Sequence, residues 1–515
     1  MASITFLKRE RGFFKVVLAA LLASVESATD HVAEWLRPLF KGRPFPELDP
    51  NHWSVQRRSQ EGLCQIPLAV RPDGRRSGPR ERLLTVHQMH PDRLHLCTGL
   101  LVTRLCYSDA VAPAGDVASP DATRPMPTVC GVEVLMQEHA YQADPLYEHI
   151  DHTDDAERTL YCQREVILCG GAFNTPQLLM LSGIGPADHL QQPSLDIQVR
   201  VDSPGVGGNL QDRYEVPVTA TLKDRFRTLD DLGLSSKRSQ SVEDTVLKQW
   251  IDGVGDPLQN DYSTNGGLIG YFKRSAQEPT HPDLFLFASA AYFPGYHLGW
   301  SSPARLSPTL PSDADGTTRR ETDAIDETPT PRSDTASKHK RSLTWLVLKA
   351  RTRNRDGTVR LRNADPRRRP EIHFRSFEHQ SDPNQSGHEP DLEAIHEGVE
   401  VVKSILDYGQ RKGVIQNYEM PGLGRFDGDQ RRWIRNVAWG HQASGTCKMG
   451  RASDRTAVVD SRLRLHGARN LRIVDASVFP KIPGYFLVTS IYMVAEKAAD
   501  LLSEDHPLPG ASDQR

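Results

Sequence analysis

The chain has 515 residues, 63 of them basic and 66 acidic, for a net charge of −3, and 38% are hydrophobic. That length suits two or three domains rather than one simple core, and the near-neutral balance excludes a strong field able to gather nucleic acid or an anionic membrane. The seven cysteines are odd in number and form no C-x-x-C pair, which argues against a zinc site and against a disulfide framework and makes a reducing, cytoplasmic setting the simpler reading.

Residues 1–57 read as helical, then extended around Pro44, Pro46 and Pro50. Lys8, Arg9, Arg11 and Lys15 surround the apolar run Val16 to Ala23, a pattern shared with short signal peptides. Val32, Ala33, Leu36 and Leu39 continue the run in helical rhythm, which favours an amphipathic helix pair. The run is too short to span a bilayer, so no stable membrane insertion is expected.

From Glu61 to Leu84 a short strand meets an Arg- and Gly-rich turn. LHLCTGLLVTRLCYSD (94–109) alternates and is rich in Leu, Val and Thr, which predicts a β-hairpin or adjacent strands. Residues 110–160 are polar and Pro/Asp-rich and read as an inserted loop. His149, Asp151, His152 and Asp154 within it read as solvated loop residues, so no metal site is expected.

REVILCGGAFNTPQLLMLSGIGPADHL (164–190) predicts a buried strand (Glu165 to Cys169), a glycine turn (Gly170, Gly171) and a helix. Thr175 is placed to cap that helix and Pro176 to fill its first turn. Leu178, Leu179 and Leu181 face inward and Gly183 ends it. A glycine turn opening a helix exposes backbone N–H groups to an anion, typically a phosphate or pyrophosphate. A second glycine turn follows in VDSPGVGGNLQDR (201–213).

Residues 214–440 mix strand-like pieces (Val216 to Leu222, Leu284 to Ala288, Leu343 to Ala350) with a helical one (Asp391 to Leu406), which predicts an antiparallel sheet with helices on one side. Residues 301–341 carry almost no large apolar side chain and are expected to be disordered. WGHQASGTCKMG (439–450) leads to a buried strand (Leu471 to Val474) and an amphipathic helix (Ile491 to Leu502) with Met493, Ala495, Ala498 and Leu501 among its apolar positions.

GAFNTPQLLMLSGIGPADHL closely resembles the second signature of the glucose–methanol–choline (GMC) family of flavin-dependent alcohol oxidoreductases. Four other segments resemble the family in the expected order. Leu101-Val102-Thr103-Arg104 is similar to the strand whose valine lies against the adenine end of the flavin. PGVGGNLQD is similar to a glycine turn beside the flavin, although Arg213 follows where the family usually has His. The GTCKMG segment and the C-terminal block, whose strand ends in Asp475-Ala476-Ser477 beside the flavin pyrophosphate, complete the set.

The resemblance implies an α/β fold, with an incomplete Rossmann-like FAD-binding domain and an α+β substrate domain built on an antiparallel sheet. On that basis residues 1–57 form an N-terminal helical segment. Residues 58–213 and 441–515 form the FAD-binding domain, with the insertion at 110–160, and 214–440 form the substrate domain, with the insertion at 301–341. The implied cofactor is FAD, contacted by Val102, Gly170, Gly171, Ala172, Asn174, Asp475 and Ala476. The implied reaction removes hydride from an alcohol carbon of a small organic molecule while a histidine takes the hydroxyl proton, work that suits imidazole near neutral pH.

Three departures qualify this. The G-x-G-x-x-G fingerprint with its preceding strand and following acidic residue is absent. That region would cradle the pyrophosphate, and without it the neighbouring strands expose an apolar edge. A second chain completing the FAD domain, or an abbreviated gene product, would account for the absence. Counting back four residues from Thr446 to the family's base gives Gln442, which cannot act as a base near neutral pH. Its neighbour His441 is the candidate for proton transfer, with Gln442 a polar neighbour of the substrate. The family's second His/Asn position falls on Phe486. The alternative reading is an inactive or repurposed GMC-like scaffold.

Overall fold

The structure is a computed structural model that describes residues 49–59, 61–64, 66–71, 73, 75–108, 126–147, 157–223, 248, 251–253, 267–289, 291–293, 295–296, 341–377, 388–418 and 428–507. The expectations for residues 1–48, for His149 to Asp154 and for 301–340 lie outside the described residues. In chain order the elements are α1 (Trp53–Arg58), β1 (Gly62–Cys64), α2 (Pro79–Met89), β2 (Leu101–Tyr107), β3 (Val129–Leu135), β4 (Glu157–Tyr161) and β5 (Val166–Leu168). Then come α3 (Gly171–Leu181), β6 (Ile184–Gly185), α4 (Ala187–Leu190), β7 (Val201–Asp202), β8 (Tyr214–Leu222), β9 (Gly267–Lys273), β10 (Leu284–Ser289) and β11 (Ser342–Lys349). The last group is β12 (Thr358–Arg360), β13 (Glu371–His373), α5 (His388–Arg411), β14 (Ile415–Tyr418), α6 (Gln430–Val437), β15 (Leu471–Ile473) and α7 (Val488–Asp505), with a 3-10 turn at Ala476–Val478.

These elements form two compact units. One takes the chain up to Thr85 with Glu215–Lys349 and Leu392–Trp439; the second takes Val86–Tyr214, Ala350–Asp391 and the chain from Gly440 on. Two of the breaks between them fall near 214 and 440. Two stretches join other units than expected, for reasons of backbone pairing. Gly62–Cys64 pairs with β9 and so belongs with the first unit. Residues 350–391 belong with the second, because Val359 N donates to Gly207 O and Leu210 N to Gly357 O, both at 2.7–2.9 Å.

The first unit is built on a six-stranded sheet in the order β1-β9-β10-β11-β8-β14. Strands β1 and β9, β9 and β10, β10 and β11, and β8 and β14 pair antiparallel, with Leu284 opposite Lys349 in β10 and β11. Buried side chains run along β8 and β11 almost without interruption, as for strands covered on both faces. The part of α5 from Leu392 packs on the sheet so closely that a Cβ on Gly398 would lie 2.6 Å from Val347 Cγ1. A buried ion pair, Lys349 to Asp283 at 3.1 Å, closes the end of β10, and Ser275 donates to the same carboxylate through its amide and hydroxyl.

In the second unit β5 and β15 pair in parallel, Leu471 opposite Val166. Strands β2, β3 and β4 form an antiparallel sheet of their own. This changes two expectations. The 94–109 stretch holds one strand rather than a hairpin, and its partner Val129–Leu135 comes from within the supposed loop 110–160, as does β4. Leu179, Met180 and Ile184 pack with Leu168, Val206, Val458, Leu471 and Ile473 in one core.

A charged network fastens the β5–β15 pair to α7. Arg472, nearly inaccessible to solvent, reaches Glu165 at 2.6 Å through Nε and Asp505 through Nη2, and donates to Arg462 O at 2.9 Å. His506 meets the other oxygen of Glu165 at 2.6 Å. The Arg472 guanidinium holds the Asp505 carboxyl well below the usual carboxylate range. Apolar side chains nevertheless stay open beside it. Ile167 of β5 is 37% exposed and Met493 of α7 is 68% exposed. Of the apolar positions expected to face inward on α7, only Ala498 and Leu501 are buried.

Breaking a buried ion pair by removing one partner leaves an uncompensated charge and costs about 3–5 kcal/mol. Arg472→Leu leaves Glu165 with His506 and Asp505 with Arg462 and Arg464, so it is expected to lower unfolding stability by less than that, about 1–3 kcal/mol, read as a fall in the urea midpoint. A change within experimental error would show that water solvates the network.

Candidate active site

Of the residues singled out in the sequence, the Gly170–Asn174 turn, Asp475 and Ala476 gather in the second unit around the start of α3. Gly170 precedes the helix and Gly171 opens it with φ +78°, in the left-handed region that favours glycine. A Cβ on Gly171 would meet nothing within 4 Å, so the space above the turn is open. Thr175 is not the helix cap. It lies inside the first turns, where its hydroxyl accepts from Gly170 N at 3.0 Å and donates to Asp475 Oδ2 at 2.6 Å.

Asp475, at the end of β15, is the centre of the arrangement. Its Oδ2 also accepts from Gly171 N at 2.9 Å, and its Oδ1 accepts from Ser477 N at 2.7 Å, starting the 3-10 turn. The turn therefore offers an anion less than the sequence suggested, because the Gly170 and Gly171 amides already serve Thr175 and Asp475.

The GTCKMG segment runs alongside. Gly445 N donates to Ala476 O, Cys447 N to Ser477 O and Met449 N to Val478 O, at 2.8–3.1 Å. Thr446 Oγ1 donates to Ala172 O at 2.7 Å, tying this segment to the glycine turn. Ala172 and Ala476 are buried and contribute backbone carbonyls, while Asn174 is exposed on the first turn of α3. Val102 stands apart from these bonds, 39% exposed near the start of β2 and opposite Val134.

His441 and Gln442 are neighbours in sequence but not in role. Gln442 is held at both ends: its N–H donates to Asp212 Oδ1 at 2.7 Å and its Oε1 accepts from Leu487 N at 2.9 Å. His441 is exposed, and desolvation of its ring pushes its pKa below the ordinary value against a smaller opposing effect of the Gly440 backbone. It is therefore neutral at pH 7 and able to accept a proton.

The roles of Asp212, Thr175 and Thr446 are not legible in the sequence, although all three stand inside segments quoted there. Asp212 Oδ1 accepts from both Arg213 N and Gln442 N at 2.7 Å. A Cβ on Gly440 would lie 2.3 Å from Arg213 O and 2.7 Å from Asp212 Cγ, so only glycine lets the segment close over this carboxylate. Burial pushes Asp212 up to about 6, outweighing the two amides and the Arg213 charge.

The profile described as GMC oxidoreductase matches residues 51–215 and a second profile of the same description matches 353–495, together more than half of the chain. The chain belongs to the GMC oxidoreductase family. Choline dehydrogenase of Mus musculus is 32% identical over 362 residues, covering 70% of this chain and 50% of that protein. A glucose methanol choline oxidoreductase of Aspergillus terreus is 30% identical over 356 residues, covering 68% and 51%. The solved formate oxidase of Aspergillus oryzae shares the fold, with a TM-score of 0.60 at 24% identity over 87% of this chain and 66% of that one. This chain spans about half the length of the curated relatives it matches.

FAD is the cofactor of this family. The residues present fit one side of such a group. The open space over Gly171 admits a ligand against the turn. Asp475, with three acceptor positions in use, keeps one for a ligand hydroxyl. The exposed Ile167 and Val102 offer apolar surface in the same unit.

Asp212 gives a pH-dependent test. Its folded value near 6 lies above the ordinary 3.8. Between those values the folded protein binds more protons than the unfolded chain, so this group's contribution to stability falls as pH rises through that window. Asp212→Asn keeps an oxygen for both amides and removes the charge. It is expected to be more stable than the wild type at pH 7.5, by up to about 3 kcal/mol, with the advantage gone below pH about 4. Urea denaturation of both proteins across that range measures the difference, and parallel curves would contradict the assignment.

Proposed function

We propose that this chain takes part in FAD-dependent oxidation of an alcohol group on a small organic molecule. The observation that carries this reading is the joining of two family segments at one place. Thr446 binds the glycine turn of α3, and the segment bearing His441 and Gln442 runs from there beside Asp475-Ala476-Ser477. Bound FAD supplies the acceptor for hydride. The chain's part is to hold and orient. Asp475 and the Gly171 turn form one wall of the site, Gln442 is fixed between Asp212 and Leu487 next to the substrate hydroxyl, and His441 takes the hydroxyl proton. The remaining wall, which would cradle the pyrophosphate, is not among the described residues. The odd number of cysteines without a C-x-x-C pair is the ground for proposing a cytoplasmic setting.

A second reading is a GMC-like scaffold without redox turnover. Gln442 favours it, because the family's base position is filled by an amide whose oxygen is already engaged by a backbone N–H.

The spectrum of the purified chain separates the two. Incubated with FAD and passed through gel filtration, the protein is expected to keep flavin absorbance that bleaches anaerobically on adding an alcohol, with choline as the first probe. A colourless protein after that treatment would leave the scaffold reading. Where turnover is seen, His441→Ala is expected to lower it by about 10²–10⁴-fold, the usual worth of a positioned acid–base group. Unchanged turnover would assign the proton to another group.

A further inference from the structure

Outside the flavin-family segments, the β2–β3–β4 sheet brings thiols together. Cys130 lies in β3 and Cys162 directly follows β4. The register Gly131 opposite Tyr161 sets these two cysteines opposite each other, and Cys162 N donates to Cys130 O at 2.8 Å. Gly131 draws the strands tight at that end. A Cβ there would lie 2.2 Å from Leu160 O and 3.0 Å from Tyr161 Cα, so no other residue permits this approach. Both thiols are half-buried and free, as is Cys106 on β2.

Residues directly opposite on antiparallel strands point to the same face, with Cβ atoms about 4.5–5.5 Å apart. A hydrogen-bonded pair sets the Cα atoms about 5.5 Å apart, inside the range of about 4.4–6.8 Å that a disulfide spans. The Cα spacing therefore suits a disulfide, and a small closing of the two strands brings the Cβ atoms into the range of about 3.5–4.5 Å that the bond needs. We propose that Cys130 and Cys162 form an oxidation site, closing as a reversible disulfide across β3 and β4 when the chain meets a hydroperoxide.

The chemistry balances. The Cys130 thiolate attacks one peroxide oxygen, the O–O bond breaks, and a sulfenic acid and one water result once protons are accounted for. The Cys162 sulfur then attacks the sulfenic sulfur, loses its proton and releases the second water. Two thiols and one hydrogen peroxide thus give one disulfide and two waters. Desolvation raises the thiols of Cys162 and Cys106, the latter to about 11, so at neutral pH they are poor first attackers. Cys106 faces a different position: it opposes Gly131, and the register shifts between Cys106 and Tyr107.

The test uses the full chain, first reduced and then treated with a small excess of hydrogen peroxide. Remaining thiols are alkylated, and tryptic peptides are read by mass spectrometry. The expected product links the Thr159–Arg164 peptide, which carries Cys162, to Cys130 of the Leu105–Arg158 peptide, the position being read by fragmentation because that peptide also carries Cys106, with a free-thiol titre lower by two that dithiothreitol restores. Cys162→Ser, nearly the same size, is expected to abolish the link and to trap a dimedone adduct on Cys130. Two outcomes would overturn the proposal. One is full alkylation of Cys130 and Cys162 while the exposed Cys97 and Cys169 oxidise. The other is a Cys130–Cys106 link in the wild type. Neither depends on flavin or turnover, so failure here leaves the proposed function untouched.

Discussion

The Asp475 carboxylate is the constraint on which the rest of the second unit depends. It is almost wholly buried and accepts from Gly171 N, Thr175 Oγ1 and Ser477 N. Hydrogen bonds to a charged acceptor are worth about 1.5–3 kcal/mol each, and a buried carboxylate without them would carry an uncompensated desolvation cost. Those bonds join the end of β15 to the start of α3, two elements some 300 residues apart in sequence. Once they are joined, the 3-10 turn that Asp475 caps presents three carbonyls in a row to the GTCKMG segment. The position of His441 follows from that docking, so a carboxylate with no proton-transfer role determines where the proton-transfer candidate stands.

The β5–β15 pair shows the opposite condition on its outer side. Parallel strands are ordinarily covered on both faces, and here Ile167 remains 37% exposed. The charged network of Arg472, Glu165, Asp505 and His506 secures the inner end of the pair without covering it. Ion pairs of this kind fix register and orientation more than they add net stability. The surface of α7 has the same character, with Val488, Tyr492 and Met493 open to solvent and only Ala498 and Leu501 packed. The apolar face of this helix is therefore wider than the part that the described residues bury.

The sequence is most readable where apolar pattern and local turn chemistry agree. The strands at 216–222, 284–288 and 343–350 and the helix near 391–406 are all visible, because a strand or helix packed in an antiparallel sheet announces itself by hydrophobic run and period. Val129–Leu135 is hidden by the polar, proline-rich stretch around it, and the partner of β2 then seems to lie next door at 94–100. Pairing across an insertion leaves no local mark. In the site, the glycine turn and the Asp-Ala-Ser end of β15 are readable as wording. The work of Thr175 is not, since a threonine after a glycine pair reads equally well as a cap. Asp212 escapes notice because a carboxylate in a glycine-rich turn looks like a solvated turn residue until Gly440 is seen to close over it.

That closure bears on what the Gln442 position means. The two bonds that hold Gln442, from its own N–H to Asp212 and from Leu487 N–H to its side-chain oxygen, use the backbone and an acceptor. The first is independent of side-chain identity, so Asp212 places residue 442 in the same spot whatever it is. The second needs an acceptor, which an amide oxygen supplies and which one nitrogen of a neutral imidazole also supplies. The scaffold around residue 442 is thus compatible with a histidine base, and the departure at this position is chemical and not architectural. Under the proposed function, proton transfer falls to the neighbouring residue. His441 is neutral at pH 7 and solvent-accessible, whereas Asp212 is occupied with orienting the backbone. Under the proposed function the labour divides between a carboxylate that fixes geometry and an imidazole that moves the proton.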